Sequence, residues 1–121
     1  MGRSRIVLPD IETIVPIREV AKLLDSTRGP VRKASIETLA ALSRVAPSAM
    51  AFLIPRLHDL LANEPQNALA NHAIEILTNY AKTSQQAARK VIPIFRNTIA
   101  DLGPKSAAKV GKILSDLTKK K

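Results

Sequence analysis

Cysteine and tryptophan are missing from this sequence, and aromatic side chains make up only 2% of it: Phe52, Tyr80 and Phe95. Without cysteine there are no disulfides, no thiolate zinc ligands and no cysteine nucleophile, and a reducing, cytoplasmic setting suits the chain. With so few rings the core has to be assembled from Ile, Leu, Val and Ala. Platforms for stacking unpaired bases are lacking as well. The four glycines stand singly at positions 2, 29, 103 and 111, so no glycine-rich phosphate loop exists. No apolar run approaches the roughly 18 residues of a membrane span, and no membrane partner is expected. The basic start Met1-Gly2-Arg3-Ser4-Arg5 leads into only three apolar residues, Ile6-Val7-Leu8, too few for a signal-peptide core.

What is present is aliphatic and basic. The chain of 121 residues is 45% hydrophobic, enough for one domain with a modest core. Its formal charge of +9 is unevenly spread. Residues 1–80 hold nine basic and eight acidic groups, a balance of +1. Residues 81–121 hold ten basic groups against Asp101 and Asp116, a balance of +8.

Six helices are expected and no strand, because no stretch alternates apolar and polar residues for long. The first opens at Leu8-Pro9-Asp10, carries Ile14, Ile17, Val20 or Ala21, and Leu24, runs through Pro16 and ends near Asp25. Ser26-Thr27-Arg28-Gly29-Pro30 is a turn. The second covers 31–45. The third begins at Pro47 or Ser48, with Phe52, Leu53, Leu57, Leu60 and Leu61 on its apolar side and Pro55 in its interior. The fourth spans about 67–82 with the stripe Leu69, Ala73, Ile76, Leu77 and Tyr80. Thr83 or Ser84 caps the fifth, which holds Val91, Ile92, Phe95 and Ile99 around Pro93. Leu102-Gly103-Pro104 ends it and starts the sixth, with Val110, Ile113, Leu114 and Leu117 inward.

Three stretches share a pattern: Ile14-Val15-Pro16, Leu53-Ile54-Pro55 and Val91-Ile92-Pro93, their prolines 39 and 38 residues apart. The six helices thus group as three pairs, with periods of 20–50 residues signalling a solenoid. In the first pair, Pro16, then Leu23-Leu24-Asp25, then Val31-Arg32, Ala34, Leu39 and Leu42 resemble a HEAT repeat. That family bends its first helix at a proline, places Asp in the inter-helix turn and puts Arg or Lys at the start of the second helix. The second pair keeps Pro55, Leu60-Leu61, Ile74-Glu75 and Leu77, but Asn63 replaces the Asp and Ala70 the Arg. The third keeps Pro93 and Leu114 without either charged mark. The resemblance covers residues 9–118. It implies an all-α, short α-α superhelix of three HEAT-like hairpins at about 9–46, 47–82 and 83–118, with an arm at 1–8 and a basic tail at 119–121. The Asp–Arg ladder that links repeats in this family is expected to be at most partial. An ordinary six-helix bundle with coincident prolines is the plainer alternative.

No catalytic, metal or cofactor site is expected. His58 and His72 are the only histidines, and His72 with Glu75 amounts to two ligands at most. The basic last third is the informative feature. Lys105, Lys109 and Lys112 recur at i, i+4 and i+7 on one helix face. Arg89 and Arg96 share a face of the preceding helix, beside Lys90, and Lys119, Lys120 and Lys121 follow. Such a polycation attracts phosphate backbones without regard to sequence, or an acidic protein surface. The bland account is a solvated face on a terminal helix. The first functional expectation is therefore a non-enzymatic scaffold that docks on RNA or DNA in a nucleoprotein assembly. The second is a protein adaptor using Arg32, Lys33, Asn71, Glu75 and Asn79 as exposed contacts on the second helices of the pairs. A third is a homo-oligomer stacked through exposed end repeats.

Overall fold

The computed structural model describes residues 16–119. These residues form six α-helices: α1 (Ile17–Lys22), α2 (Gly29–Val45), α3 (Ile54–Asn63), α4 (Leu69–Ala81), α5 (Gln85–Thr98) and α6 (Pro104–Lys119). Tighter 3-10 segments occupy Leu23–Asp25, Pro47–Leu53 and Ile99–Asp101, and no strand occurs among the described residues. The expected all-α class is observed.

The three prolines play three different parts. Pro93 lies inside α5, as its sequence position predicts. It removes the hydrogen bond that residue 93 would give to the Arg89 carbonyl. Both residues lie on the exposed face, where solvent reaches that carbonyl. Pro55 is not interior to an α-helix. The segment before it winds as a 3-10 helix, and α3 begins at Ile54, which puts Pro55 in the first turn. Amides there have no partner within the helix, so the proline costs no bond. Pro16 immediately precedes α1, and its carbonyl accepts from the Val20 amide at 3.0 Å. The start of the first expected helix, at residues 9–15, lies outside the described residues, as does the arm at 1–8.

Consecutive helices are in contact, α1 with α2, α3 with α4, α4 with α5 and α5 with α6. Alternate helices also touch: α2 meets α4, α4 meets α6, and α3 meets α5. α4 is consequently the central element, and it buries Leu69, Ala70, Ala73, Ile74, Ile76, Leu77, Thr78, Tyr80 and Ala81. Its alanines let neighbouring helices approach, and so broad an apolar surface suits a helix packed on several sides. Thr78, off the expected stripe, is buried because its hydroxyl donates to the Ile74 carbonyl at 2.7 Å. The aliphatic core is continuous from Ile17 to Leu117, with Phe95 fully buried among Ile, Leu, Val and Met side chains.

Polar links join the pairs at their surfaces. Arg56 on α3 donates to both carboxylate oxygens of Asp25, at 2.8 and 2.6 Å. Arg32 on α2 donates to both oxygens of Glu64, at 3.2 and 2.7 Å, and to the Leu24 carbonyl at 3.2 Å. Asp25 and Arg32 of the first pair thus do bridge to the second, through Arg56 on α3 rather than position 70, and through Glu64, one position from Asn63. Glu64, beside Asn63, accepts the guanidinium that a turn aspartate was expected to take.

Candidate nucleic-acid interface

α6 presents its lysines because its other side is committed to the core. Val110 and Leu117 are buried, and Ala107, Ile113 and Leu114 are half-buried against the same core. Lys105, Lys109 and Lys112 are all exposed. At the helical rise of about 1.5 Å per residue, the outer two stand about 10 Å apart along the axis. α6 is held in register with α4 by Ser106, whose hydroxyl donates to the Asn71 side-chain oxygen at 2.7 Å. On α5, the burial of Val91, Ile94, Phe95 and Thr98 turns Arg89, Lys90 and Arg96 outward. Lys119 ends α6 exposed, and Lys120 and Lys121 lie outside the described residues.

The described cations are used unevenly. In the first two pairs Lys22, Arg32, Arg44 and Arg56 are held by Glu19, Glu64, Glu75 and Asp25, Arg18 stands 4.5 Å over the Phe52 ring, and Arg28 and Lys33 are exposed without an ion pair among the described residues. In the last pair Arg89, Lys90, Arg96, Lys105, Lys109, Lys112 and Lys119 form no ion pair among the described residues. Their charge is available. Two acids temper it. Asp116 falls on the Lys105 face at the next helical step, between Lys112 and Lys119. Lys109 acts electrostatically on Glu75 across the α4–α6 contact.

The second candidate set is less exposed than its positions suggest. Arg32 is 24% exposed in its side chain and tied to Glu64. Glu75 is 27% exposed and accepts from Arg44 at 2.6 Å. Asn79 is half-buried, its amide donating to the Ser43 hydroxyl at 3.0 Å. Of these five, only Lys33 and Asn71 are exposed, and Asn71 accepts from Ser106. The physical reason is the direct packing of α2 on α4 and of α4 on α6. Polar residues on adjoining edges reach one another before they reach solvent. His72 likewise stands 3.9 Å from Glu37 across the α2–α4 contact.

These pairings shift the titration of their members. The Arg32 hydrogen bonds hold the Glu64 carboxyl below its ordinary value, and Glu64 raises Arg32 in turn. The Arg44 hydrogen bond does the same to Glu75, with smaller help from the Arg44, Lys109 and His72 charges. All four groups are therefore ionised at neutral pH and serve as links between helices.

Two features escape a reading of the sequence. Glu64 as the Arg32 partner was findable, since it is an acid one residue from Asn63, the position the resemblance sets against Asp25. Asp116 on the lysine face was findable from the continued i+4 step. No family model, curated protein or solved structure matches the chain.

Proposed function

We propose that this chain is a non-enzymatic, HEAT-like helical scaffold whose C-terminal basic face docks on the phosphate backbone of RNA or DNA in a nucleoprotein assembly. The observation that carries the reading is the contrast in charge use. Three cations of the first two pairs, Arg32, Arg44 and Arg56, are spent on links between helical segments, whereas seven in the last pair project from α5 and α6 with no ion pair among the described residues. Lysine and arginine held on rigid helices contact phosphates independently of base sequence and release counterions as they do so. The buried state of Phe95 and Tyr80 supports the same view, because no ring from either is offered to an unstacked base. The repeat-like packing, in which alternate helices form layers, supports a HEAT-like scaffold over a bundle with accidental prolines. The test is binding of a short duplex by the wild-type chain and by a variant with Lys105, Lys109 and Lys112 changed to Glu. Weaker binding with a flatter salt dependence supports the proposal, and equal binding with an equal salt slope refutes it.

A further inference from the structure

The layer that contains α3 and α5 stops at α5. On one side α5 is covered by α3 and α4. On the other lies an open groove of about 850 Å³, and no helix among the described residues fills it. Gln85, Ala88, Arg89 and Ile92 line it at i, i+3, i+4 and i+7, a stripe about 10 Å long at the helical rise of about 1.5 Å per residue. Leu117 and Thr118 of α6 also line it, as do Ala81 and Lys82 at the end of α4 and Ser84 before α5. Ala88 and Ile92 remain half-exposed although they pack on the core.

We infer that this groove docks an amphipathic helix of a partner protein, carrying aliphatic side chains flanked by acids. Three observations select that occupant. The half-exposed Ala88 and Ile92, with the buried Ala81 and Leu117 also lining the groove, reward aliphatic contact, which a phosphate backbone does not offer. Among the described residues, the charged ones lining the groove are Lys82 and Arg89, both basic, and its other polar residues, Ser84, Gln85 and Thr118, are neutral. A second copy of this chain is disfavoured because each carries a formal charge of +9. Two turns of helix match the length of the stripe, the usual mode of helix-in-groove recognition. This inference does not rest on phosphate binding, and its test contains no nucleic acid in its first stage.

The experiment titrates the full chain, with methyl-labelled Ile and Leu, against two synthetic helical peptides. Both bear Leu at i, i+3, i+4 and i+7, and the remaining positions are rich in Glu in one and in Lys in the other. The expected result is saturable movement of the Ile92 and Leu117 methyl signals with the Glu peptide alone. Paired substitutions Lys82→Glu and Ala88→Glu, both at solvent-accessible positions, should weaken that binding at least tenfold while the circular dichroism spectrum stays helical. The inference is overturned if neither peptide moves those signals, or if the Lys peptide binds as well. It is equally overturned if the signals move with protein concentration alone, which identifies a second copy as occupant. A later titration with a short duplex that moves the same two methyls would assign the groove to nucleic acid instead.

Discussion

Arg32 and Glu64 meet in a two-pronged ion pair, 3.2 and 2.7 Å, that ties the start of α2 to the end of the following hairpin's first helix. Neither side chain is fully exposed, at 24% and 36%, and the guanidinium also donates to the Leu24 carbonyl. A double-mutant cycle with Arg32→Ala and Glu64→Ala should give a coupling of about 0.5–1 kcal/mol in urea unfolding, the upper part of the range for solvent-accessible pairs. The same cycle on Arg56 and Asp25, which are 40% and 67% exposed, should give a smaller value. A larger coupling for the more exposed pair would contradict the ranking.

The acid response follows from the same pair. Glu64 titrates below its ordinary value of 4.5 in the folded chain because Arg32 stabilises its charged form. A depressed folded value means the stabilisation is complete above the unfolded value and fades as pH falls through the folded one. Glu64→Gln should therefore lower the urea midpoint at pH 7. The gap between variant and wild type should shrink well below pH 4.5, where the wild-type carboxyl is protonated too. Arg32 remains charged throughout and adds no pH dependence there.

Pro55 and Pro93 should respond in opposite directions to replacement by alanine. At position 93 alanine restores an amide to the interior of α5, where proline costs up to about 3 kcal/mol. Pro93→Ala is expected to raise stability by about 1 kcal/mol or more. At position 55 no bond is regained, since the first turn needs none, and the freer unfolded chain should lower stability by about 0.5 kcal/mol. Denaturant midpoints of the two variants check this. A gain at position 55 or a loss at position 93 would contradict this.

Asp116 offers a gain-of-binding test. It interrupts the α6 cations between Lys112 and Lys119, so Asp116→Lys should tighten duplex binding by about three- to tenfold at low salt and steepen the salt slope by about one phosphate contact. Fluorescence anisotropy with one labelled duplex measures both.

Particular residues mark how far the sequence carries. The recurrence of Ile, Leu and Val at spacings of three and four places the second, fourth, fifth and sixth helices, because helical burial imposes that spacing on the faces that pack. Ser84 as a cap is equally local, since its hydroxyl accepts from the Ala87 amide three residues on. The 3-10 winding of Pro47–Leu53 is not legible, for its apolar residues satisfy either helix type and the choice is made by packing on α2 and α4. The basic face was visible as a spacing of lysines. That Glu75 and Asn79 are engaged was not, because their partners Arg44 and Ser43 lie 31 and 36 residues away. Only the approach of α2 to α4 brings those residues together.

The measurement that bears most directly on the central claim is the salt dependence of duplex affinity, compared between the wild-type chain and the Lys105→Glu, Lys109→Glu, Lys112→Glu variant. Each phosphate contact contributes about 0.9 to the slope of log affinity against log salt on double-stranded DNA. The account predicts a wild-type slope of several units, reduced by about two to three in the variant, with affinity lost at low salt and unfolding midpoints little changed. A wild-type chain that does not bind, or a variant with the same affinity and the same slope, would contradict it.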